Sequence, residues 1–224
     1  MPDMLPTLGR PPTFHLTAET PSSVTDTTPR QTLSVHDLDG ADREWTIESS
    51  VAKVSIFNSQ NLTLRLPGRI LTSTVEVFKC RNIRLIIGRS SDSNGDDEEE
   101  VQPLGILQLD PPLENVAIEY TSPRHIGKIV VAPLASQNEQ GRPTFGFTNL
   151  SVRARGGAAD ATTLFDADGA LLFPATEGAE RPVMIMPGVG GFDLARQLVV
   201  SHEAEKGWQI AGLERGEEDY PVLG

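Results

Sequence analysis

A short pattern of alternating apolar and polar positions occurs twice between residues 54 and 88. In each copy, one alternating run leads to a polar corner that ends in Asn61 or Asn82, and a second alternating run follows. The two asparagines are 21 residues apart. Period-two alternation indicates strands that bury one face. A fixed period of this length indicates stacked repeats, each of which buries its apolar face against its neighbours.

Two further copies of the pattern are predicted around Asn115 and Asn149. Superposing the four copies on their asparagines gives two inward columns that are wholly aliphatic: Leu62, Ile83, Val116 and Leu150, then Leu64, Leu85, Ile118 and Val152. The outward columns are mixed: Thr63, Arg84, Ala117 and Ser151, then Arg65, Ile86, Glu119 and Arg153. This separation predicts an all-β solenoid of the β-helix type with an aliphatic interior. The alternative is a β-sandwich whose strands resemble one another.

The sequence before and within this solenoid suggests where the domain begins. Residues 1–33 are rich in Pro, Thr and Ser, which predicts a disordered leader. We expect the β-helix domain over 34–155, with Trp45 closing the open end of the coils. Residues 90–100 contain no apolar side chain and predict a solvated acidic loop, the insertion that lengthens the third repeat.

The sequence after the solenoid changes character. An Asp-Gly turn between apolar runs predicts a β-hairpin arm over 156–173. Residues 174–224 are expected to form a C-terminal extension. Helical spacing from Leu194 to Glu205 predicts one short helix within that extension.

Composition narrows the class of protein. The 224 residues carry a formal net charge of −12, which argues against nucleic acid as the main partner. The single cysteine, Cys80, excludes an internal disulfide framework, and its apolar strand predicts a core position rather than a reactive thiol. No apolar run approaches the roughly 18 residues that span a membrane. We therefore expect a cytoplasmic protein without a membrane partner, a metal or a cofactor.

Charge is unevenly distributed along the chain. Residues 43–89 contain eight basic and three acidic side chains, a net charge of +5, so the remainder carries −17. A basic surface on an acidic protein can steer an acidic partner. The alternative is that outward strand positions hold these side chains only because such positions need soluble residues.

The order of several motifs resembles the C-terminal domain of the cyclase-associated proteins, a fold shared with tubulin-binding cofactor C. The likeness runs from about Leu38 to Phe173, a little over half the chain. The matching segments are Leu38-Asp39-Gly40 with Glu44 to Glu48, Asn61 to Gly68, Val75 to Cys80, Tyr120 to Pro133, and Thr163 to Leu172. The resemblance implies a right-handed β-helix.

The resemblance also implies a function. Cyclase-associated proteins bind actin monomers, chiefly in the ADP form, and promote nucleotide exchange and filament turnover. The implied protein is a cytoplasmic, cytoskeletal homodimer. The candidate actin-binding residues are Lys53, Arg65, Arg69, Lys79, Arg81 and Arg84. The hairpin through which family members exchange strands corresponds to Leu164, Phe165, Leu171 and Leu172.

Three other functions fit the sequence less well. The cofactor C branch accelerates GTP hydrolysis by tubulin-like proteins through an arginine, but the matching position here is Glu76, whose carboxylate would repel a phosphate. A self-assembling scaffold like the bactofilin polymers needs uncapped ends, whereas Trp45 and the long tail predict capped ones. We expect no enzymatic activity, because the histidines are scattered and Gly188–Gly191 lacks the strand and acid of a dinucleotide site.

Overall fold

The computed structural model describes residues 12–25, 31–72, 74–88, 104–120, 126–132, 136–137, 143–144, 146–154, 161–169, 171–172, 184–185, 196–203 and 207–214. The regular structure in these ranges consists of strands alone. In chain order they are β1 (Thr13–His15), β2 (Ser23–Val24), β3 (Thr32–His36), β4 (Asp39–Ile47), β5 (Lys53–Phe57), β6 (Gln60–Leu66), β7 (Thr74–Ile87), β8 (Leu104–Tyr120), β9 (Ile126–Val131), β10 (Ser136–Gln137), β11 (Pro143–Thr144), β12 (Phe147–Ala154), β13 (Ala161–Phe165), β14 (Leu171–Leu172), β15 (Met184–Ile185), β16 (Arg196–Glu203) and β17 (Gly207–Glu214). Within those ranges, no helix is long and apolar enough to cross a membrane.

The strands form two parallel ladders within one sheet. The first ladder runs β1-β3-β5-β7-β8-β9 and the second runs β2-β4-β6-β7-β8-β12. β7 and β8 belong to both ladders, because their first halves pair in the first and their second halves pair in the second. The all-β prediction is therefore confirmed, in the form of a curled parallel sheet. β10 and β11 form a separate antiparallel pair.

The predicted register of the inward columns is confirmed. Leu64 pairs with Leu85, which pairs with Ile118, and Ile118 pairs with Val152, each in adjacent parallel strands. All four side chains are buried. A β-sandwich with look-alike strands would not place successive copies side by side in parallel, so that alternative is wrong.

The first ladder contributes two more inward columns that were not predicted. Their members share full burial: Leu33, Val54, Val75, Leu107 and Ile129, then Val35, Ile56, Val77, Leu109 and Val131. Burial of an aliphatic side chain stabilises the folded state by about 1.5–3 kcal/mol. The stacked aliphatic columns are thus the main source of stability in this fold.

The insertion in the third repeat has two parts. The pairing of Thr74 with Ile106 and of Cys80 with Leu113 shows that one extra residue enters between these pairs, at Pro111–Pro112, where the register shifts. The rest precedes β8, in the part of the chain that contains the predicted acidic loop. That loop, residues 90–100, lies outside the described residues.

The predicted disordered leader does not hold for residues 12–25 and 31–33. β1 pairs with β3, and β2 pairs with β4, so these residues begin both ladders. Their strands are too short to show clear alternation, and their order comes from pairing with the next coil rather than from local sequence. Trp45 consequently lies inside the stack opposite Leu64, and its indole Nε1 donates to the carbonyl of Thr20 at 3.1 Å.

The predicted helix from Leu194 to Glu205 is wrong. Residues 196–203 form β16, which pairs antiparallel with β9 on one side and with β17 on the other. Val199 and Val200 favour a strand, and the edge of β9 supplies the backbone partners that a helix would not use. Gly188–Gly191 lies outside the described residues.

Two short strands, β13 and β14, lie within the range of the predicted hairpin arm. β13 and β14 are antiparallel, with Phe165 opposite Leu171, and Gly169 turns the chain at a φ of 77°. β13 also pairs antiparallel with β12, so it covers the edge of the second ladder. Leu164 and Phe165 are fully buried, and the Phe165 ring stacks on Phe147 with 4.7 Å between centroids.

Candidate functional site

The outward surface of the second ladder is the candidate functional site, and we call it the charged face. It is formed by the outward side chains of β4, β6, β12 and the second halves of β7 and β8. The predicted outward columns lie there in register: Thr63, Arg84, Ala117 and Ser151, then Arg65, Ile86, Glu119 and Arg153. Parallel strands lie about 4.8 Å apart, so side chains in one column are immediate neighbours.

A row of asparagines borders the charged face at the corner where the chain turns into the second ladder. The four asparagines all have positive φ: Asn61 (55°), Asn82 (53°), Asn115 (54°) and Asn149 (48°). Asparagine tolerates this left-handed conformation better than most residues. The corner therefore explains why the sequence repeats this residue type.

The asparagine side chains form a continuous chain of hydrogen bonds. Asn149 Nδ2 donates to Asn115 Oδ1 at 2.7 Å, and Asn115 Nδ2 donates to Asn82 Oδ1 at 2.9 Å. Asn82 Nδ2 donates to Asn61 Oδ1 at 2.7 Å, and Asn61 Nδ2 donates to the Asp39 carboxylate at 3.1 Å. All the amides point the same way and end on a negative charge, which polarises the row favourably.

Basic side chains on the charged face are paired with acids from neighbouring coils. Arg65 forms a salt bridge with Glu44, and Arg81 Nε lies 2.7 Å from a carboxylate oxygen of Glu114. These are one-to-one pairs of exposed or half-exposed groups. Their contribution to stability is small, because water screens them.

Glu119 forms a different kind of pair, because it binds two arginines. Arg84 donates from Nε to Glu119 Oε1 at 2.8 Å and from Nη2 to Oε2 at 3.0 Å, while Arg153 Nη2 also donates to Oε1. The Glu119 side chain is only 2% exposed, whereas those of Arg84 and Arg153 are 43% and 52% exposed. Burial alone would raise the pKa of Glu119, but the hydrogen bonds from both arginines hold it below its ordinary value.

The structure does not bring the six predicted basic residues together. Arg65, Arg81 and Arg84 border or lie on the charged face. Lys53 lies on the outward side of the first ladder, where its Nζ is 2.6 Å from the Glu76 carboxylate.

The other two predicted basic residues are separate from that face. Lys79 lies between the two halves of β7 and has a positive φ of 54°. Its Nζ is 5.4 Å from the ring centroid of Phe57. Arg69 follows β6, where its carbonyl accepts a hydrogen bond from the Val51 amide at 2.9 Å. The basic segment is therefore spread around the coil rather than gathered into a patch.

Sequence reasoning missed the ion pair between Glu119 and Arg153. Both residues lie in the predicted outward column, but they are outside the basic segment 43–89 from which the candidate residues come. The columns contain a signal. When the repeats are superposed on their asparagines, Arg84 and Glu119 lie in neighbouring outward columns on adjacent strands. The same superposition places Glu114 beside Arg81.

An open groove of about 330 Å³ lies between the asparagine row and the Arg84 side chain. Leu62, Ile83, Ala117, Asn82 and Asn115 are among the residues that line it. The outward side chain at this point is Ala117, which is much shorter than its column neighbour Arg84. Thr63 and Asp42 also line the groove, with Asp42 on β4, two strands from Arg84.

Comparison with known proteins adds no relative. No family model matches the chain, and no curated protein or solved structure matches it.

Proposed function

We propose that this chain is a non-catalytic protein-binding module of the cyclase-associated protein type. It binds actin monomers, preferentially in the ADP form, and promotes nucleotide exchange and actin turnover in the cytoplasm. Its curled sheet is a right-handed β-helix, since parallel strands joined by crossover connections are almost always right-handed. The charged face is the surface that contacts actin.

The observation that carries this proposal is the stack itself. The register pairs Trp45 with Leu64 and continues through Leu85 and Ile118, in the order of motifs on which the resemblance rests. A stacked ribbon of this kind presents a flat and rigid row of side chains, which suits recognition of a protein surface. The charges on that row come from side chains that hold one another in place.

The closing hairpin supports a homodimer formed by strand exchange. Leu164 and Phe165 are already buried against the same chain, so a dimer would re-form these contacts between two copies. In the exchanged form, Phe165 of one copy packs on Phe147 of the other. Such exchange costs little, because the contacts are the same in monomer and dimer.

The two other candidate functions are less favoured. Glu76 stands at the position where the cofactor C branch has its arginine, and its carboxylate is paired with Lys53. Neither group is available to stabilise a phosphoryl-transfer transition state. A self-assembling scaffold needs parallel coils exposed at its ends, but antiparallel β13 covers the edge of β12.

Titration with actin monomers tests the proposal. The full chain is added to fluorescently labelled actin loaded with ADP or ATP, and release of a fluorescent nucleotide is followed in parallel. We expect tighter binding to ADP-actin and faster nucleotide release. Light scattering on the same sample should give the mass of a dimer. Absence of binding to both nucleotide forms would remove actin as the partner.

A further inference from the structure

We infer that Arg84 and Arg153 form a docking point for an acidic side chain of a partner protein, and that Glu119 is the residue that positions them. The inference rests on the proposed function in that it assumes a protein partner for the charged face. It deepens that proposal by naming the chemical group recognised.

The ratio of charges at this point differs from the rest of the face. Arg65 and Arg81 each face one carboxylate, so their charges cancel. Glu119 faces two guanidinium groups, which leaves one positive charge in excess. That excess is carried by side chains that are 43% and 52% exposed, so an approaching carboxylate can reach both.

The burial of Glu119 indicates preorganisation. Removing a carboxylate from water is costly, and it is offset here by hydrogen bonds from two arginines. The planar guanidinium carries five N–H donors, and Arg84 uses two of them on Glu119. The remaining donors stay in a fixed orientation that matches a second carboxylate. A partner therefore need not order these long side chains when it binds.

The groove beside Arg84 gives the incoming group a place to enter. Each side-chain amide of Asn82 and Asn115 uses one of its two N–H donors in the asparagine row. Both asparagines and Ala117 line the same groove as Arg84, so a carboxylate that enters it meets amide groups as well as the guanidinium. Asp42 also lines the groove two strands from Arg84 and repels a carboxylate, which directs it toward the arginine end.

The first measurement uses a probe that does not depend on the identity of the partner. Fluorescein-labelled poly-L-glutamate is titrated with the full chain, and anisotropy is recorded at low and high salt. The chain has a net charge of −12, so overall electrostatics opposes this binding. We expect binding that weakens with salt. Poly-L-glutamate that does not bind would overturn the inference.

Matched variants locate the binding. Arg153→Gln should weaken binding to poly-L-glutamate and to actin by about tenfold, as loss of a hydrogen-bonded charge partner does. Arg153→Lys keeps the positive charge but loses the planar set of guanidinium N–H donors, and it should weaken binding by about threefold. Lys53→Gln removes the same charge on the first ladder and should change binding by less than about twofold. Equal effects of Lys53→Gln and Arg153→Gln would contradict a localised docking point.

Glu119→Gln tests the positioning role. The substitution removes a negative charge, so simple electrostatics predicts tighter binding of an acidic probe. Loss of the oriented guanidinium groups predicts weaker binding, which is the result we expect. A thermal melt shows that the variant is folded, and tighter binding by the folded variant would overturn the role of Glu119.

The two proposals fail in different ways. If the chain binds poly-L-glutamate through Arg153 but does not bind actin, the docking point stands and actin is the wrong partner. If the chain binds actin and Arg153→Gln leaves the affinity unchanged, actin stands and the docking point is wrong.

Discussion

The side-chain amide of Asn82 donates to Oδ1 of Asn61 at 2.7 Å, and both residues hold a left-handed backbone conformation, with φ of 53° and 55°. One residue type thus serves two needs at the corner. It tolerates the positive φ that turns the chain, and its amide joins one coil to the next. The period of the sequence and the geometry of the corner have the same cause.

Substitution of Asn82 separates these two roles. Asn82→Ala loses the hydrogen bonds to Asn61 and Asn115, and it loses the polar side chain that offsets the left-handed backbone cost of about 1–2 kcal/mol. With about 1 kcal/mol for each hydrogen bond, we expect a loss of about 3 kcal/mol in the free energy of unfolding. Asn82→Gly loses only the hydrogen bonds and should cost less. Urea denaturation measures both, and equal losses would show that the backbone conformation contributes nothing.

The asparagine row also predicts acid sensitivity. The Asp39 carboxylate accepts hydrogen bonds from the Ala41 amide and from the side chains of Asn61 and Gln60, which hold the pKa of Asp39 below its ordinary value of 3.8. A lowered folded-state pKa gives stability that is present above the unfolded-state pKa. That stability is lost as the pH falls through the folded-state pKa.

Below about pH 4, the urea concentration at the unfolding midpoint should therefore decrease more steeply with falling pH in the native chain than in Asp39→Asn. The pKa of Glu119 is also lowered, so part of the acid dependence remains in that variant. Matching pH profiles for the native chain and the variant would show that Asp39 does not hold the end of the row.

Gly40 predicts a steric effect at the start of the second ladder. A Cβ at this position would lie 2.6 Å from both the Asn61 carbonyl oxygen and the Leu62 Cβ. Both contacts belong to atoms that cannot swing away, so Gly40→Ala should lower the free energy of unfolding by about 1–3 kcal/mol. Calorimetry on the native chain and on Gly40→Ala reports the two melting temperatures. An unchanged melting temperature in Gly40→Ala would mean that the strand can shift.

The interior of this fold was predictable because its signal is periodic. Alternation and spacing placed Leu64, Leu85 and Ile118 in one column without any knowledge of the third dimension. The strands at residues 13–15 and 23–24 gave no such signal, since they are short and take their order from the neighbouring coil. The prediction of a helix in the C-terminal extension was wrong for a related reason. Residues 196–203 form a strand because they pair with the edge of β9, which is distant in the sequence.

The candidate site was less predictable than the fold. Charge counted along the chain suggested a basic patch, but the acids that neutralise it come from other coils. Glu44 pairs with Arg65 across one turn of the stack, and Arg84 and Glu119 come from adjacent coils that are separated in sequence by the insertion. Ion pairs of this kind depend on rows and diagonals of a sheet. They follow from a sequence only after the register is known.

The hairpin strand predicts a large difference between two similar substitutions. Phe165 is fully buried and stacks on Phe147, so Phe165→Ala should cost about 3–5 kcal/mol. Phe57 is only partly buried on the outward side of the first ladder, where it lies 4.4 Å from the Phe78 ring. Phe57→Ala should therefore cost about half as much, because less area is returned to water. Equal losses in urea denaturation would contradict the placement of β13 on the stack.

The Cys80 thiol should react slowly with alkylating reagents in the folded chain. The Cys80 side chain is 3% exposed, and its Sγ donates to the Phe78 carbonyl at 3.2 Å. Burial raises the pKa of the Cys80 thiol to about 11. Because the thiolate is the nucleophile, the fraction that can react at pH 8 is about a thousandth in the folded chain and about a quarter in the unfolded chain.

We therefore expect alkylation of Cys80 to be slower by at least about a hundredfold in the native chain than in urea, since burial blocks access as well. Thr63→Cys in a Cys80→Ser background places a thiol in an outward column of the second ladder and serves as the control. It should react at similar rates in the native and unfolded chains. Rapid native alkylation of Cys80 would mean that the stack opens at the β7 corner far more often than its aliphatic columns allow.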